Sequence, residues 1–374
     1  MNVPESVPPI ALSGSSTPSG RRPRSRAFHV SVGGLRAACA VGGVLIFILA
    51  LQTIKAGARD LLPVLEQLDV RGPLNAVGFG WLFAYVVLSG SPVAAIGISL
   101  LAGGVFSESE AFAVVGGSRL GAAFIVLAVG FVTYLRGRRS PDGLSIGVIA
   151  LVTTFTTQGP AILLGLVVLH FGWLDGVRFD TPASLLNVID TVYGPPVDAF
   201  SAILPGVGLF IGGVVILMGS FWLFDRALPQ LESEASSVQR ALHVLHRRPL
   251  MFLMGCLVTL TTLSVSISIT VLVPLALKGY IRKDHIIPYV MGANITTFVD
   301  TLVGSVLLGG DTAFTVVLTE MLSVAVISIG VLAFAYGPYS RAILAVAGWA
   351  TAKPRHLGAF LGAIVAVPAV LLFL

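Results

Sequence analysis

Residues 259–308 read TLTTLSVSISITVLVPLALKGYIRKDHIIPYVMGANITTFVDTLVGSVLL, and the nature of the whole chain follows from this stretch. It is apolar enough for a bilayer, yet a ladder of small hydroxyl residues runs through it: Thr259, Thr261, Thr262, Ser264, Ser266, Ser268 and Thr270. A turn of the pattern Gly292-Ala-Asn294-Ile-Thr296-Thr297 follows, and then an acid, Asp300, in an otherwise apolar run. Backbone in a bilayer must be hydrogen-bonded within the protein. Polar side chains at that depth are costly and face a protein interior or a water path. A hydroxyl-rich break followed by a polar turn therefore reads as a solute or ion site. The plainer alternative is that the hydroxyls bond back to their own helix carbonyls and hold helices together. The ladder alone leaves both readings open.

The surrounding chain fits a bilayer. Of its 374 residues 55% are hydrophobic and only 11% charged, and the mean hydropathy is +0.93. Soluble domains carry roughly 25% charged residues, so the chain is a polytopic, all-α membrane protein. Its formal net charge of +5 sits in short loops between apolar spans, where it sets orientation and does not indicate nucleic acid. Cys39 and Cys256 lie in apolar spans without metal-ligand spacing, so no disulfide or metal centre is expected. Residues 1–32 form a Pro/Ser-rich, solvated tail ending in Arg21, Arg22, Arg24 and Arg26. The first apolar run, 35–54, is long enough to span and reads as a signal-anchor.

Two regions, 73–105 and 249–279, are interrupted: the first at Ser89-Gly-Ser91-Pro92, the second around Ser264–Ser268. Proline and glycine at such a break favour two half-helices meeting at a tip. An offset of 175 residues carries Ser89 onto Ser264, Ser91 onto Ser266, Gly117 onto Gly292 and Arg119 onto Asn294. Charge supplies an independent test. With the Arg-rich tail in the cytoplasm and both interrupted regions re-entrant, the basic segments around Arg136–Arg139, Arg226–Arg248 and Lys278–Lys283 all fall inside. The acidic segments around Glu108/Glu110 and 172–197 fall outside. Repeat 1 then covers 33–172, an extracytoplasmic loop 173–197, repeat 2 198–338, and a C-terminal extra helix lies within 339–374. Inverted repeats with discontinuous helices point to a secondary transporter with its site near the midplane.

These motifs resemble the sodium/phosphate cotransporters. In that family each repeat carries a Gln-Ser-Ser-Ser-like hairpin motif and a Gly-Ala-Asn-Ile-Gly-Thr-Thr-like stretch. Residues 292–297 resemble the second motif without its middle glycine, and Ser264, Ser266 and Ser268 stand where the Ser run falls. In the first repeat Arg119 replaces the expected Asn, and Ser89-Gly-Ser91 shortens the Ser motif. The resemblance implies sodium-coupled uptake of inorganic phosphate or a similar small anion at the cell membrane, with the N-terminus cytoplasmic. Sodium would be the coupling ion, and no other cofactor is implied.

Half-helix amino ends favour anions, so Ser89, Ser91, Ser264, Ser266, Ser268 and Arg119 are the expected substrate contacts. Asn294, Thr296, Thr297 and Asp300 are the expected cation ligands. Asp300 also suits a proton carrier, or an ion pair with Arg119, which the 175-residue offset places opposite Asn294. Should Arg119 stand in for a coupling cation, transport would be proton-linked or passive. Thr153–Gln158, with Pro160 close behind, forms a second polar cluster, and Glu320 a second acid in an apolar span. No G-x-x-x-x-G-K-[ST] loop occurs, and the chain is not expected to be an enzyme. The rival from another class is a non-transporting accessory or lipid-handling protein on the same scaffold.

Overall fold

A computed structural model describes residues 26–67, 72–135, 141–177, 179, 181–204, 206–227, 247–263, 268–269, 276 and 281–374. Among them all regular structure is helical, which in a bilayer is the way a single segment satisfies its own backbone. Seven helical segments of the described chain are long and apolar enough to cross a membrane. The protein is an all-α membrane protein.

The first half begins with α1 (Arg26–Gly57), which continues through a 3-10 turn into α2 (Leu62–Gln67). Next come α3 (Pro73–Val87) and α4 (Gly90–Ala102), then α5 (Glu108–Ala122), α6 (Phe124–Leu135) and α7 (Pro141–His170). Proline at the start of α3 suits a position whose N–H has no helical partner. The helix ends at Leu88, which adopts the left-handed conformation at φ 54°. Ser89 is extended, and α4 runs back with every residue from Gly90 to Leu100 buried. Ser107 and Glu110 close a capping box at the start of α5. The other carboxylate oxygen of Glu110 accepts from the Gly72 N–H at 2.9 Å, tying the starts of α3 and α5 together.

The second half holds α8 (Ala183–Ile203), α9 (Val207–Ala227), α10 (Arg248–Thr262), α11 (Lys283–Thr296), α12 (Phe298–Leu307) and α13 (Asp311–Gly330). A π-helical turn, Val331–Ala335, joins α13 to α14 (Tyr336–Ala352), and α15 (Pro354–Leu372) ends the chain.

Local structure and packing recur at the offset of 175. α10 repeats α3 residue for residue in extent, and Leu263 repeats Leu88 with φ 50°. A Cβ on Gly80 would meet the Val114 carbonyl oxygen at 2.4 Å, and one on Gly117 the Val77 carbonyl at 2.3 Å. In the second half a Cβ on Gly255 would meet the Tyr289 carbonyl at 2.0 Å, and one on Gly292 the Phe252 carbonyl at 2.1 Å. The same reciprocal glycine contacts thus join α3 to α5 and α10 to α11, as in the small-residue interfaces of bilayer helices. The halves also interlock: α13 packs on α5, and α7 on α11.

Two elements differ from the expectation from sequence. Residues 183–197, read as part of the 173–197 loop, belong to α8, because Ile189, Tyr193 and Val197 recur every four residues and bury on one face. The expected boundary at 338/339, between the second repeat and the C-terminal helix, falls inside α14 (Tyr336–Ala352), which contains Pro338. The π turn just before it accommodates the N–H that proline lacks. The C-terminal α15 lies on α3, where Asn75 Nδ2 donates to the Leu372 carbonyl at 3.1 Å and the Tyr85 hydroxyl to the Ile364 carbonyl at 2.9 Å.

Candidate functional site

The site is organised by Arg119, which α5 delivers to the interior with only 6% of its surface exposed. Its Nη1 donates to Ser91 Oγ on α4 and to Thr297 Oγ1, each at 3.2 Å. Its Nη2 donates to Thr301 Oγ1 at 2.7 Å, to the Thr297 carbonyl at 3.4 Å and to Asp300 Oδ1 at 3.4 Å. The Phe298 ring lies 4.8 Å below the guanidinium carbon, within cation–π range. Thr297 sits at the joint between α11 and α12, as the last cap of one and the first of the other.

Asp300 completes the cluster. Its Oδ1 accepts from both Arg119 and the Thr301 hydroxyl, the latter at 2.8 Å, while its Oδ2 is buried without a partner. Breaking such a pair by removing one partner is costly, since the remaining charge is stranded in a poorly polarisable interior.

Beside this cluster lies a cavity of about 700 Å³. The carboxyl ends of α3 and α10 both reach it, through Leu88 and Ser89 from one half and Thr262 and Leu263 from the other. Ser91 and Asp300 also line it, and aromatic residues of α1 and α9, Phe47, Phe221 and Phe224, form an apolar wall that ends at Asp225. Ser89 is the N-cap of α4 and its side chain makes no capping bond, and the amino end of α4, at Ser91 and Pro92, lines the cavity.

The expected site residues thus separate. Ser89, Ser91, Arg119, Thr297 and Asp300 come together. Asn294 instead donates to Thr154 Oγ1 on α7 at 3.0 Å. Thr296 donates to the Cys256 carbonyl at 3.0 Å, back onto α10. Ser268 accepts from Thr259 Oγ1 and meets the Tyr289 hydroxyl, both at 2.8 Å. Ser264 and Ser266 lie outside the described residues. Thr301 and Asp225 were missed by sequence reasoning. The adjacency of a hydroxyl to Asp300 was the available signal for Thr301, whereas nothing local marks Asp225, near the end of α9.

No protein-family model, curated protein or solved structure matches this chain. What it does must therefore be argued from the site itself.

Proposed function

We propose that the chain is a secondary transporter of a small anion, inorganic phosphate being the first candidate, built on two re-entrant hairpins of opposite orientation. The observation that carries this reading is that both left-handed turns, at Leu88 and Leu263, line one cavity beside a buried arginine. The arms support it. α3 and α10 are each 15 residues long and α4 is 13. At ~1.5 Å per residue such helices fall well short of a ~30 Å hydrocarbon core.

An anion at Ser89 and Ser91 would meet the amino end of α4 and the guanidinium behind Ser91. Asp300 is then a built-in competitor, holding the same guanidinium when no anion is bound. A proton on Asp300 would weaken that hold and lessen the repulsion an anion feels from the cavity wall, which also carries Asp225. Proton and anion would accordingly enter together.

Sodium fits this cluster poorly. The oxygens it would use, from Thr297 Oγ1, the Thr297 carbonyl, Thr301 and Asp300, are those that the guanidinium already holds. Arg119 acts here as a tethered cation, which favours a proton-linked or passive permease over sodium symport. We place the protein in the cell membrane with its N-terminus in the cytoplasm, following the distribution of basic residues.

Purified protein in liposomes tests the reading. Phosphate uptake should be driven by an inward proton gradient, be indifferent to a sodium gradient, and fall at least about tenfold, ~1.4 kcal/mol, in Arg119→Gln. Absence of uptake under every gradient by folded protein would remove the phosphate assignment and favour the accessory-protein reading. Uptake that required sodium would return the coupling role to a cation.

A further inference from the structure

Outside the cluster around Arg119, the interior holds a second acid. Glu320, on α13, has no exposed surface, and neither has Gln158 on α7. The Gln158 amide Nε2 donates to Glu320 Oε1. Two oxygens of this bonded pair, Glu320 Oε2 and Gln158 Oε1, are buried and have no partner. The carboxyl lies close against α5 at Gly116, where a Cβ would meet Glu320 Oε1 at 2.8 Å and the Ile162 side chain at 2.7 Å.

An ionised carboxylate in such a place needs several donors or a counter-charge. Hydroxyls beside the pair in the chain, or one turn on, donate elsewhere. Thr319 donates to the Thr315 carbonyl, Ser323 to the Thr319 carbonyl and Thr157 to the Thr153 carbonyl, at 2.7, 2.7 and 2.9 Å. Among the helices packed on α13, α5 and α12 bring charged groups inward, Arg119 and Asp300, while α4, α7 and α11 bring only neutral ones to the buried middle among the described residues. Arg119 is near enough for its charge to reach Glu320, but its hydrogen bonds go to Ser91, Thr297, Asp300 and Thr301. One buried cation thus faces two acids, Asp300 at the cavity wall and Glu320 wholly inside. Leaving the second ionised would strand a charge whose effective desolvation penalty is several kcal/mol.

We propose that Glu320 is a proton-binding site, a neutral carboxylic acid paired with the Gln158 amide and separate from the Arg119–Asp300 pair. A single hydrogen on Oε2, donated to Gln158 Oε1, closes a ring of two hydrogen bonds and satisfies both orphaned oxygens. A metal cation would cancel the charge too, but would need more oxygens than this pair presents. Because the pair bridges α7 and α13, separating those helices far enough to admit water would open the ring and let the carboxyl ionise. Motion of that extent is thereby linked to proton uptake. The inference does not depend on what the protein transports.

Infrared difference spectroscopy on the full chain in lipid tests it. At about pH 8, far above the ~4.3 of a solvated glutamate, surface carboxyls are ionised and a protonated carboxyl stretch reports a buried acid. The expected band shifts in heavy water and on carbon-13 labelling of glutamate, is lost in Glu320→Gln, and survives in Asp300→Asn. Gln158→Leu should move it to higher frequency as the acid loses its partner. Should Glu320→Gln not fold, glutamate labelling of the unmutated chain makes the same assignment, since Glu320 is the buried glutamate of the described residues. No band at this pH, a band unmoved by glutamate labelling, or a band abolished by added sodium would each overturn the proposal.

Discussion

At the scale of single residues, Arg119 and Asp300 decide the electrostatics. The guanidinium is buried, and Asp300 holds it from the cavity wall. Asp300→Ala should cost about 3–5 kcal/mol, because it strands the guanidinium. The double change Arg119→Met with Asp300→Leu should recover most of that loss, as apolar replacement of buried pairs often does. Thermal unfolding in detergent measures both. Equal stability of the single and double variants would mean that the pair is not the electrostatic centre of the bundle. Asp300 as an acid at membrane depth was legible in the sequence, and its pairing with Arg119 was one of several open readings. The part played by Thr301, which accepts from Arg119 and donates to Asp300, was not. A hydroxyl's role depends on which groups surround it and not on its neighbours in the chain.

At the scale of elements, the glycines of the paired helices set how close the backbones come. Gly117→Ala and Gly292→Ala should each destabilise by about 1–3 kcal/mol, because the new methyl would press on a carbonyl oxygen 2.3 or 2.1 Å away. Gly348→Ala in α14, with nothing within 4 Å of the added atom, should instead stabilise by roughly 0.5–1 kcal/mol from helix propensity alone. Thermal unfolding again separates the two classes, and equal effects at all three sites would show that close helix approach is not what these glycines provide. The half-helix break at Ser89 was readable from Gly90 and Pro92, since both act locally. α8 was not readable as helix, because Pro195 and Pro196 and the neighbouring acids signal a loop. Burial of Ile189, Tyr193 and Val197 outweighs that signal.

At the scale of the molecule, the proposed topology places the segments before α5 and before α11 on opposite sides of the membrane. Glu108→Cys and Arg282→Cys, each in a variant otherwise free of cysteine, should react with an impermeant maleimide from opposite faces of oriented vesicles. Both side chains are at the surface, so reaction from the same face would remove the inverted arrangement and with it the converging hairpins. The halves are not equivalent in their surroundings. α15 covers α3, and Gly78 there lies against its backbone. Leu253, the counterpart of Gly78 in α10, stays exposed.

What the sequence determined by itself is the class of the protein, the helix break at Ser89 and the offset at which α10 and α11 repeat α3 and α5. Hydropathy, proline, glycine and charge act over a few residues, and a bilayer enforces their consequences without reference to the rest of the chain. Only the tertiary structure decided which polar groups share an interior. Arg119 reaches Asp300 across 181 residues of chain, and Gln158 reaches Glu320 across 162. A buried charge is governed by the few groups within hydrogen-bonding distance, and those are chosen by how the helices pack.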